Sequence, residues 1–261
     1  MNILDRIVND KHIEVNLRKQ LIPIKQLEQS VLFEHATISL AKKLRTSTTG
    51  IIAEHKRRSP SKQVINQNLN VFGVARGYEN AGVCGMSVLT DGKYFGGSLD
   101  DLLTARSSCN LPLLRKEFII DNYQIIEAKA YGADVILLIA AILTRNEIKQ
   151  FSELAKQLDL DVLLEVHNEE ELHKSMMPSL DMLGVNNRNL KTFEISLDTS
   201  KQLSELIPND FVKVSESGIS TIEAIKLLQP YGFKGFLIGE NFMKTDDPGE
   251  SATQFIKDLQ S

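Results

Sequence analysis

Eight short apolar segments recur along this chain, and each is followed by a stretch with helical periodicity. They span residues 50–56, 85–90, 111–118, 134–139, 161–166, 181–187, 211–217 and 234–240. Near-continuous apolar strands are typical of parallel sheets, because helices cover both faces of such a sheet. Several of the helical stretches end at glycine, as helix carboxyl ends commonly do. The pattern therefore predicts an α/β protein built on a parallel sheet.

Strict alternation of eight strands with helices is the arrangement of a (β/α)8 barrel, the TIM barrel. A doubly wound open sheet would show the same alternation, and it is mainly the count of eight that favours the closed barrel. Residues 1–46 precede the first strand and carry Ile3, Ile7 and other apolar residues at helical spacing. We therefore predict one domain over 1–261, with an N-terminal helical extension over 1–46 and a barrel over 47–261.

The composition argues against several classes of protein. Of the 261 residues, 42% are hydrophobic and 25% are charged, and the formal net charge of −4 makes a nucleic-acid partner unexpected. No apolar run is long enough to cross a bilayer, and the charged N-terminus does not resemble a signal peptide, so we expect no membrane partner. Cys84 and Cys109 are too few for a disulfide framework and are interpreted as reduced core thiols. A cytoplasmic location is expected.

Polar residues lie at the carboxyl ends of seven of the eight predicted strands. They are Glu54 and Lys56, Thr90 and Asp91, Lys116, Glu165, Asn186 and Arg188, Glu216 and Ser217, and Gly239 with Glu240. In a barrel of this kind the chemistry takes place at this end. One such charge would mark only the exit of a strand into solvent. Acids and bases at seven ends favour an assembled pocket suited to acid–base catalysis.

The loops after the last two strands indicate a phosphate site. Ser217 and Gly218 precede a helix, and Gly239 and Glu240 follow the eighth strand. Glycine lets backbone N–H groups approach an anion closely, and a helix N-terminus favours negative charge. Phosphate sites in barrels often form from these two loops. A plain helix cap is the alternative interpretation.

Aromatic residues follow two neighbouring strands near the same rim: Tyr94 and Phe95 after the second, and Phe118 after the third. Taken singly, each is more simply explained as a core residue. Together with a phosphate site they indicate a substrate with an anionic end and an apolar or aromatic end.

The histidines give little sign of a metal site. His167 and His173 are six residues apart, which does not place them on one helical face. Both are interpreted as solvated surface histidines. The chain also has no Walker loop, no G-x-G-x-x-G after a strand and no H-E-x-x-H.

The segments that carry these residues resemble the indole-3-glycerol phosphate synthase family. IIAEHKRRSPSK, SVLTDGKYFGGS, LPLLRKEFI, LLEVHN, GVNNRNL, VSESGI and FLIGENFM look like its signature segments, in its order. The resemblance implies a tryptophan-pathway barrel that converts 1-(2-carboxyphenylamino)-1-deoxyribulose 5-phosphate into indole-3-glycerol phosphate, carbon dioxide and water, without cofactor or metal. A monomer is compatible with it. The family usually has glycine after SPSK, where this chain has Gln63, so the conformation of that loop is in question.

The resemblance also implies a role for each site residue. Lys116 would be the general acid for the ketone oxygen, Glu165 would stabilise developing positive charge and assist proton transfer, and Glu54 and Lys56 would serve the dehydration, with Lys56 also reaching the phosphate. The implied substrate-binding residues are Ser59, Asn186 and Arg188 for the substrate and its carboxylate, Glu216 at the pocket wall, Ser217, Gly218, Gly239 and Glu240 for the phosphate, and Phe95, Phe118 and Leu190 for the aromatic ring.

Two other functions stay open at this point. A phosphate-binding barrel isomerase, such as phosphoribosylanthranilate isomerase, would share the fold. Lysines on the first and third strands and the turn Ser59-Pro60-Ser61 favour the synthase over it. A barrel without activity, serving as a scaffold or binding protein, would not need the complete set of acids and bases.

Overall fold

Eight parallel strands close into a barrel in the computed structural model, which describes residues 3–60, 62–190 and 192–261. Within those ranges the strands are β1 Ile51–His55, β2 Gly85–Leu89, β3 Leu113–Lys116, β4 Val135–Ile139, β5 Asp161–Val166, β6 Met182–Asn186, β7 Val212–Glu216 and β8 Phe233–Ile238. Each strand pairs with its neighbour in sequence, and β8 returns to β1 with Ile238 opposite Ala53. The predicted barrel is confirmed, and the open sheet is excluded.

Helices lie between the strands along the chain. Within the described residues they are α1 Ile3–Leu21, α2 Ile24–Glu28, α3 Leu40–Thr46, α4 Val71–Ala81, α5 Gly92–Phe95, α6 Leu99–Ser108, α7 Asn122–Ala130, α8 Arg145–Gln157, α9 Glu169–Ser175, α10 Asp198–Ser204, α11 Ile222–Leu228, α12 Glu240–Met243 and α13 Pro248–Gln260, with 3-10 turns at Ala140–Ile142 and Gln229–Tyr231. Polar side chains satisfy the first N–H groups of several helices. Thr144 and Glu147, for example, form a capping box on α8.

The side chains of each strand alternate between the two sides of the barrel wall. In β1, Ile52 packs in the barrel interior, whereas Ala53 packs in the cluster beneath the helices. The alternation continues to the end of the strand, so that Glu54 reaches the barrel mouth and His55 lies near Asp101 of α6. His55 therefore faces outward, away from the barrel mouth.

Helix α1 lies across the carboxyl end of the barrel and is held there by a buried lysine. Lys11 Nζ lies 3.0 Å from Asp91 Oδ2 and 3.1 Å from Glu117 Oε1, in the loops after β2 and β3. Burial lowers the pKa of Lys11, but the two carboxylates outweigh it and raise the pKa. Thr90 and Asp91, predicted among the pocket residues, instead support this anchor: Thr90 donates to Glu117 at 2.8 Å.

The rest of the extension runs to the amino end of the barrel and is not wholly helical. Residues 29–39, predicted as helical with the remainder of 1–46, form turns and extended backbone. The Ser30 hydroxyl donates to the Ala130 carbonyl, and the Ile38 N–H donates to the Asp134 carboxylate at 2.8 Å. The prediction is wrong for this stretch, because hydrogen bonds to the barrel replace those that a helix would supply.

Two further sequence predictions concern residues away from the barrel mouth. Cys84 and Cys109 are both buried and free, in agreement with their interpretation as core thiols. No helix within 3–60, 62–190 and 192–261 is long and apolar enough to span a bilayer.

Candidate active site

A cavity of about 430 Å³ opens at the carboxyl ends of the strands. Every catalytic and substrate-binding residue implied by the family resemblance lines it, whereas Thr90 and Asp91, predicted from the strand ends, do not. The strand ends contribute Glu54, Lys56, Lys116, Glu165, Asn186 and Glu216, and the loops that follow contribute Ser59, Phe95, Phe118, Arg188, Leu190, Ser217, Gly218, Gly239 and Glu240. The fold thus brings the predicted residues together, while the roles assigned to them stay predictions.

Lys116, at the end of β3, lies between two carboxylates inside this cavity. Its Nζ is 3.3 Å from Glu165 Oε2 and contacts Glu216 Oε2 directly. Burial lowers the pKa of Lys116, but the charges of Glu216, Glu165 and Glu54 outweigh it and raise the pKa. The lysine therefore stays protonated at neutral pH, as a general acid must until it transfers its proton.

Glu165, near the end of β5, is held in its ionised form. Asn186 Nδ2 donates to Glu165 Oε1 at 3.1 Å, and Lys116 lies at the other oxygen. Burial raises the pKa of Glu165, but Lys116 and His167 outweigh it and lower the pKa. A buried carboxylate that stays ionised can stabilise positive charge that develops on a substrate.

Glu216, at the end of β7, has a higher pKa than Glu165. Burial raises the pKa of Glu216 to about 7, since the attraction of Lys116 does not offset it and Glu165 adds repulsion. Gly184 makes room for this carboxylate, because a Cβ at residue 184 would lie 2.4 Å from Glu216 Oε1. The sequence assigned Glu216 only to the pocket wall. The structure brings it against Lys116, a contact between strands that the sequence does not reveal.

Glu54 and Lys56 enter the cavity together from the end of β1. Lys56 Nζ lies 2.7 Å from Glu54 Oε1, and Ser87 Oγ donates to Glu54 Oε2 at 3.2 Å. Burial raises the pKa of Glu54, but Lys56 and Lys116 outweigh it and lower the pKa. A Cβ at Gly239 would lie 2.6 Å from Glu54 Oε1, so glycine at this position also admits the carboxylate. Ser87, a buried polar residue of β2, gave no signal in the sequence analysis.

The loops after β1 and β6 bring Ser59 and Arg188 to the cavity. Ser59 forms a tight backbone turn with Lys62, with N–H to carbonyl distances of 2.8 and 3.0 Å. Ser61 of the predicted Ser-Pro-Ser turn lies outside the described residues. The Arg188 N–H donates to Asn186 Oδ1 at 3.0 Å. This bond orients the Asn186 amide so that its nitrogen faces Glu165.

Two backbone turns line the cavity after β7 and β8. Ser217 and Gly218 both have positive φ, 64° and 77°. A serine in this region is uncommon and persists where the surrounding structure requires it, often at ligand sites. Lys62 Nζ lies 2.7 Å from Glu240 Oε1, and this hydrogen bond lowers the pKa of Glu240. These turns form the part of the cavity predicted for the phosphate.

An apolar wall lines another part of the cavity. The rings of Phe95 and Phe118 lie with their centroids 5.9 Å apart, and Leu190 lines the cavity with them. Helix α1 adds Ile3 and Ile7, which were not predicted as site residues. Their spacing indicated an apolar helix face, but the sequence does not say what that face covers.

His167 is not the solvated surface histidine that the sequence predicted. Its side chain is only 10% exposed, with Nε2 3.3 Å from Glu165 Oε1 and Nδ1 3.1 Å from Glu171 Oε2. The side chains of β5 alternate between the two sides of the barrel wall, and this alternation continues one residue beyond the strand. Residue 167 therefore faces the same side as residue 165. His173 is exposed, as predicted, and lies 3.2 Å from Glu169. Within the described residues, no group of three or more His, Cys, Asp and Glu side chains could hold a metal ion.

Comparison with known proteins identifies close relatives. Residues 4–259 match the family model described as Indole-3-glycerol phosphate synthase. The chain is 48% identical to indole-3-glycerol phosphate synthase of Bacteroides thetaiotaomicron, over 99% of both chains, and 43% identical to that of Acinetobacter baylyi, over 97% of this chain and 95% of the relative. A crystal structure of 3-hexulose-6-phosphate synthase from Salmonella typhimurium has the same fold, with a TM-score of 0.65 and 13% identity over 81% of this chain and 98% of that chain.

Proposed function

Because the chain belongs to the indole-3-glycerol phosphate synthase family, we propose a role in that reaction for each charged residue of the cavity. The chain performs the synthase step of tryptophan biosynthesis, as a carboxy-lyase acting on a small phosphorylated substrate. In this step 1-(2-carboxyphenylamino)-1-deoxyribulose 5-phosphate closes a five-membered ring and loses carbon dioxide and water. The observation that carries the assignment of roles is the position of Lys116 between Glu165 and Glu216.

Lys116 starts the ring closure as the general acid. It donates a proton to the ketone oxygen of the substrate while the electron-rich ring carbon attacks the carbonyl carbon. The raised pKa of Lys116 ensures that the proton is present when substrate binds. Glu216, in contact with the ammonium, orients it. The oxygen that would otherwise carry negative charge becomes a hydroxyl.

Glu165 stabilises the intermediate that this attack creates. Ring closure removes the aromaticity of the anthranilate ring and leaves positive charge on the ring and its nitrogen. The ionised carboxylate of Glu165, oriented by Asn186, opposes that charge in a site of low dielectric. Loss of the substrate carboxylate as carbon dioxide returns an electron pair to the ring and restores aromaticity.

Glu54 and Lys56 carry out the dehydration. Glu54 removes a proton from the methylene carbon, and Lys56 protonates the departing hydroxyl group. The two side chains are 2.7 Å apart, so Glu54 can return the proton to Lys56 and regenerate both groups. Lys56 also reaches the phosphate.

The three ends of the substrate are assigned to three parts of the cavity. The aromatic ring lies against Phe95, Phe118 and Leu190, the carboxylate reaches Ser59, Asn186 and Arg188, and the phosphate binds at Ser217, Gly218, Gly239 and Glu240. An acidic side chain beside a phosphate requires a counter-ion. The 2.7 Å contact of Lys62 with Glu240 supports this part of the proposal.

We further propose that the chain acts in the cytoplasm without cofactor or metal and without a nucleic-acid or membrane partner. The formal charge of −4 supports the absence of a nucleic-acid partner. We propose one domain, with the extension over 1–46 and the barrel over 47–261, because α1 lines the cavity of the barrel. A monomer is compatible with this arrangement, and sedimentation equilibrium measures it directly.

Purified protein mixed with the carboxyphenylamino-deoxyribulose phosphate tests the function. We expect indole fluorescence to increase with time, in the presence of a chelator as well as in its absence. A protein that yields no fluorescence above background would contradict the synthase assignment. Activity that is lost on chelation would contradict the proposal that no metal takes part.

A further inference from the structure

The synthase reaction takes up one proton from solvent in each turnover. The substrate carboxylate is ionised, and its carbon leaves as neutral carbon dioxide after the carbon–carbon bond breaks and its electron pair returns to the ring. The departing water carries two protons. One comes from the methylene carbon through Glu54 and Lys56, and the other is the proton that Lys116 gives to the ketone oxygen. Lys116 must therefore receive a new proton before the next turnover.

His167 lies on a path from the barrel rim to Lys116. Its Nε2 is 3.3 Å from Glu165 Oε1, and the other oxygen of the same carboxylate is 3.3 Å from Lys116 Nζ. Among the described residues, Nε2 makes no aligned hydrogen bond. The His167 side chain is 10% exposed at the rim although Nε2 itself is covered, and Glu165 is buried. Nε2 can therefore lose its proton to Glu165 without breaking a hydrogen bond within the described residues, and a small rotation of the ring toward the rim brings it to water.

Glu171 holds the imidazole in this orientation. Glu171 Oε2 accepts the His167 backbone N–H at 2.9 Å and lies 3.1 Å from the ring Nδ1. Asn168 Nδ2 donates to Glu171 Oε1 at 3.0 Å, and Asn168 Oδ1 caps α9 by accepting the Glu171 N–H at 2.9 Å. Because Glu171 binds Nδ1, the other ring nitrogen, Nε2, is the one that exchanges its proton with Glu165.

We propose that His167 relays the proton consumed in each turnover from solvent to Glu165 and thence to Lys116. The N–H bond at His167 Nε2 breaks and an O–H bond forms at Glu165 Oε1. Rotation of the carboxyl group presents this proton to the neutral amine of Lys116, and His167 takes another from water after a small rotation of its ring exposes Nε2. His167 acts through Glu165 and is a positioning residue for the reaction. The proposal rests on the acid role proposed for Lys116.

The charges around His167 suit it to this task. Burial lowers the pKa of His167, but the hydrogen bond to Glu171 and the charge of Glu165 outweigh it, with a smaller contribution from Glu216, and the pKa is raised above 6.5. Lys116 faces the far oxygen of Glu165 and completes the set of charged groups around the relay. The imidazole therefore keeps its proton to a higher pH than a free imidazole does. The relay slows as the pH rises through the pKa of His167, because neutral imidazole has no proton at Nε2 to give.

The variant His167→Gln tests the relay, since the amide can form hydrogen bonds but cannot carry a proton. We expect kcat to fall about 10- to 100-fold, less than the 10²- to 10⁴-fold typical of a direct acid or base, because Lys116 also regains protons more slowly by other routes. KM is expected to stay within about twofold, because His167 does not line the cavity and the change removes no substrate contact. The alkaline limb of the kcat–pH profile that His167 causes is expected to disappear, and added imidazole is expected to restore part of kcat.

His173→Gln is the matched control. His173 pairs with Glu169 at the same i,i+4 spacing as His167 with Glu171, but its side chain is exposed and has no contact with Glu165 among the described ion pairs. We expect wild-type kcat and a wild-type pH profile. Glu171→Gln provides a second variant: it keeps the shape of the support and lowers the pKa of His167, so the alkaline limb is expected to move to lower pH.

Two results would overturn the relay. One is a His167→Gln enzyme with wild-type kcat and pH profile. The other is a His167→Gln enzyme with reduced kcat, an unchanged pH profile and no response to imidazole, which would make the residue purely structural. Failure of the proposed function looks different, since the wild-type enzyme would then give no product or Lys116→Ala would keep full activity.

Discussion

Replacing Gly184 by alanine tests whether the space beside Glu216 sets the geometry of the general acid. A Cβ at residue 184 would lie 2.4 Å from Glu216 Oε1 and 3.2 Å from Leu163 Cδ1. Ordinary van der Waals contact begins near 3.4 Å, so the carboxylate must move by about 1 Å to accept the methyl group. A shift of that size separates Glu216 from Lys116 and leaves the ammonium with a different orientation.

The expected magnitudes follow from this clash. An extra methyl group in a packed interior costs about 1–3 kcal/mol, and alanine offsets about 0.4–1 kcal/mol of it by reducing the entropy of the unfolded chain relative to glycine. We expect the free energy of unfolding to fall by about 1–2 kcal/mol. A catalytic group displaced by about 1 Å costs on the order of 100-fold, so we expect kcat to fall roughly 10- to 100-fold.

Urea unfolding and steady-state kinetics measure both effects. Gly73→Ala is the control, because a Cβ at this exposed position of α4 meets no atom within 4 Å. It is expected to raise stability by about 0.5–1 kcal/mol and to leave kcat unchanged. Adding Gly184→Ala to Glu216→Asp, which shortens the carboxylate by one methylene, is expected to cost less stability than adding it to wild type. A Gly184→Ala enzyme with wild-type stability and kcat would refute the argument.

Three further changes test the buried charges. Lys116→Ala is expected to lower kcat by about 10²- to 10⁴-fold with a wild-type circular dichroism spectrum, and near-wild-type turnover would contradict its role as the acid. Lys11→Met removes the cation that the buried carboxylates of Asp91 and Glu117 share and is expected to cost about 3–5 kcal/mol in urea unfolding. The exposed Lys25→Met is the control, and equal stabilities would contradict the anchor. The pKa of Glu54 is lower in the folded protein than the 4.5 expected in the unfolded chain. The ionised carboxylate therefore stabilises the fold above pH 4.5, and this contribution is lost as the pH falls through the folded pKa. Glu54→Gln is therefore expected to flatten the loss of unfolding free energy below pH 4.5, and an unchanged acid limb would contradict this.

The strands were predictable because each is a local apolar run that helices cover, and period-two alternation then directs Glu54 and Lys56 to the same side. The signature segments resembling one family brought the residues of the cavity into view before any contact between them was known. The prediction of helix failed where the polar groups of a segment form hydrogen bonds with distant residues instead of with neighbours in a helix. Residues 29–39 have apolar residues at helical spacing, but Asp134 and Ala130 satisfy their polar groups in place of a helix.

The sequence by itself determined the eight strands, their alternation with helices, the family and most of the residues that meet at the barrel mouth. These are consequences of periodicity and of motifs that lie within single short segments. Only the tertiary structure decided that Glu216 contacts Lys116, that Gly184 gives it room, and that His167 lies against Glu165. Such distances depend on how the strands are staggered when the barrel closes and on how β5 continues beyond its last hydrogen bond. The pKa of each buried acid follows from those distances, because burial and neighbouring charges act through space and not along the chain.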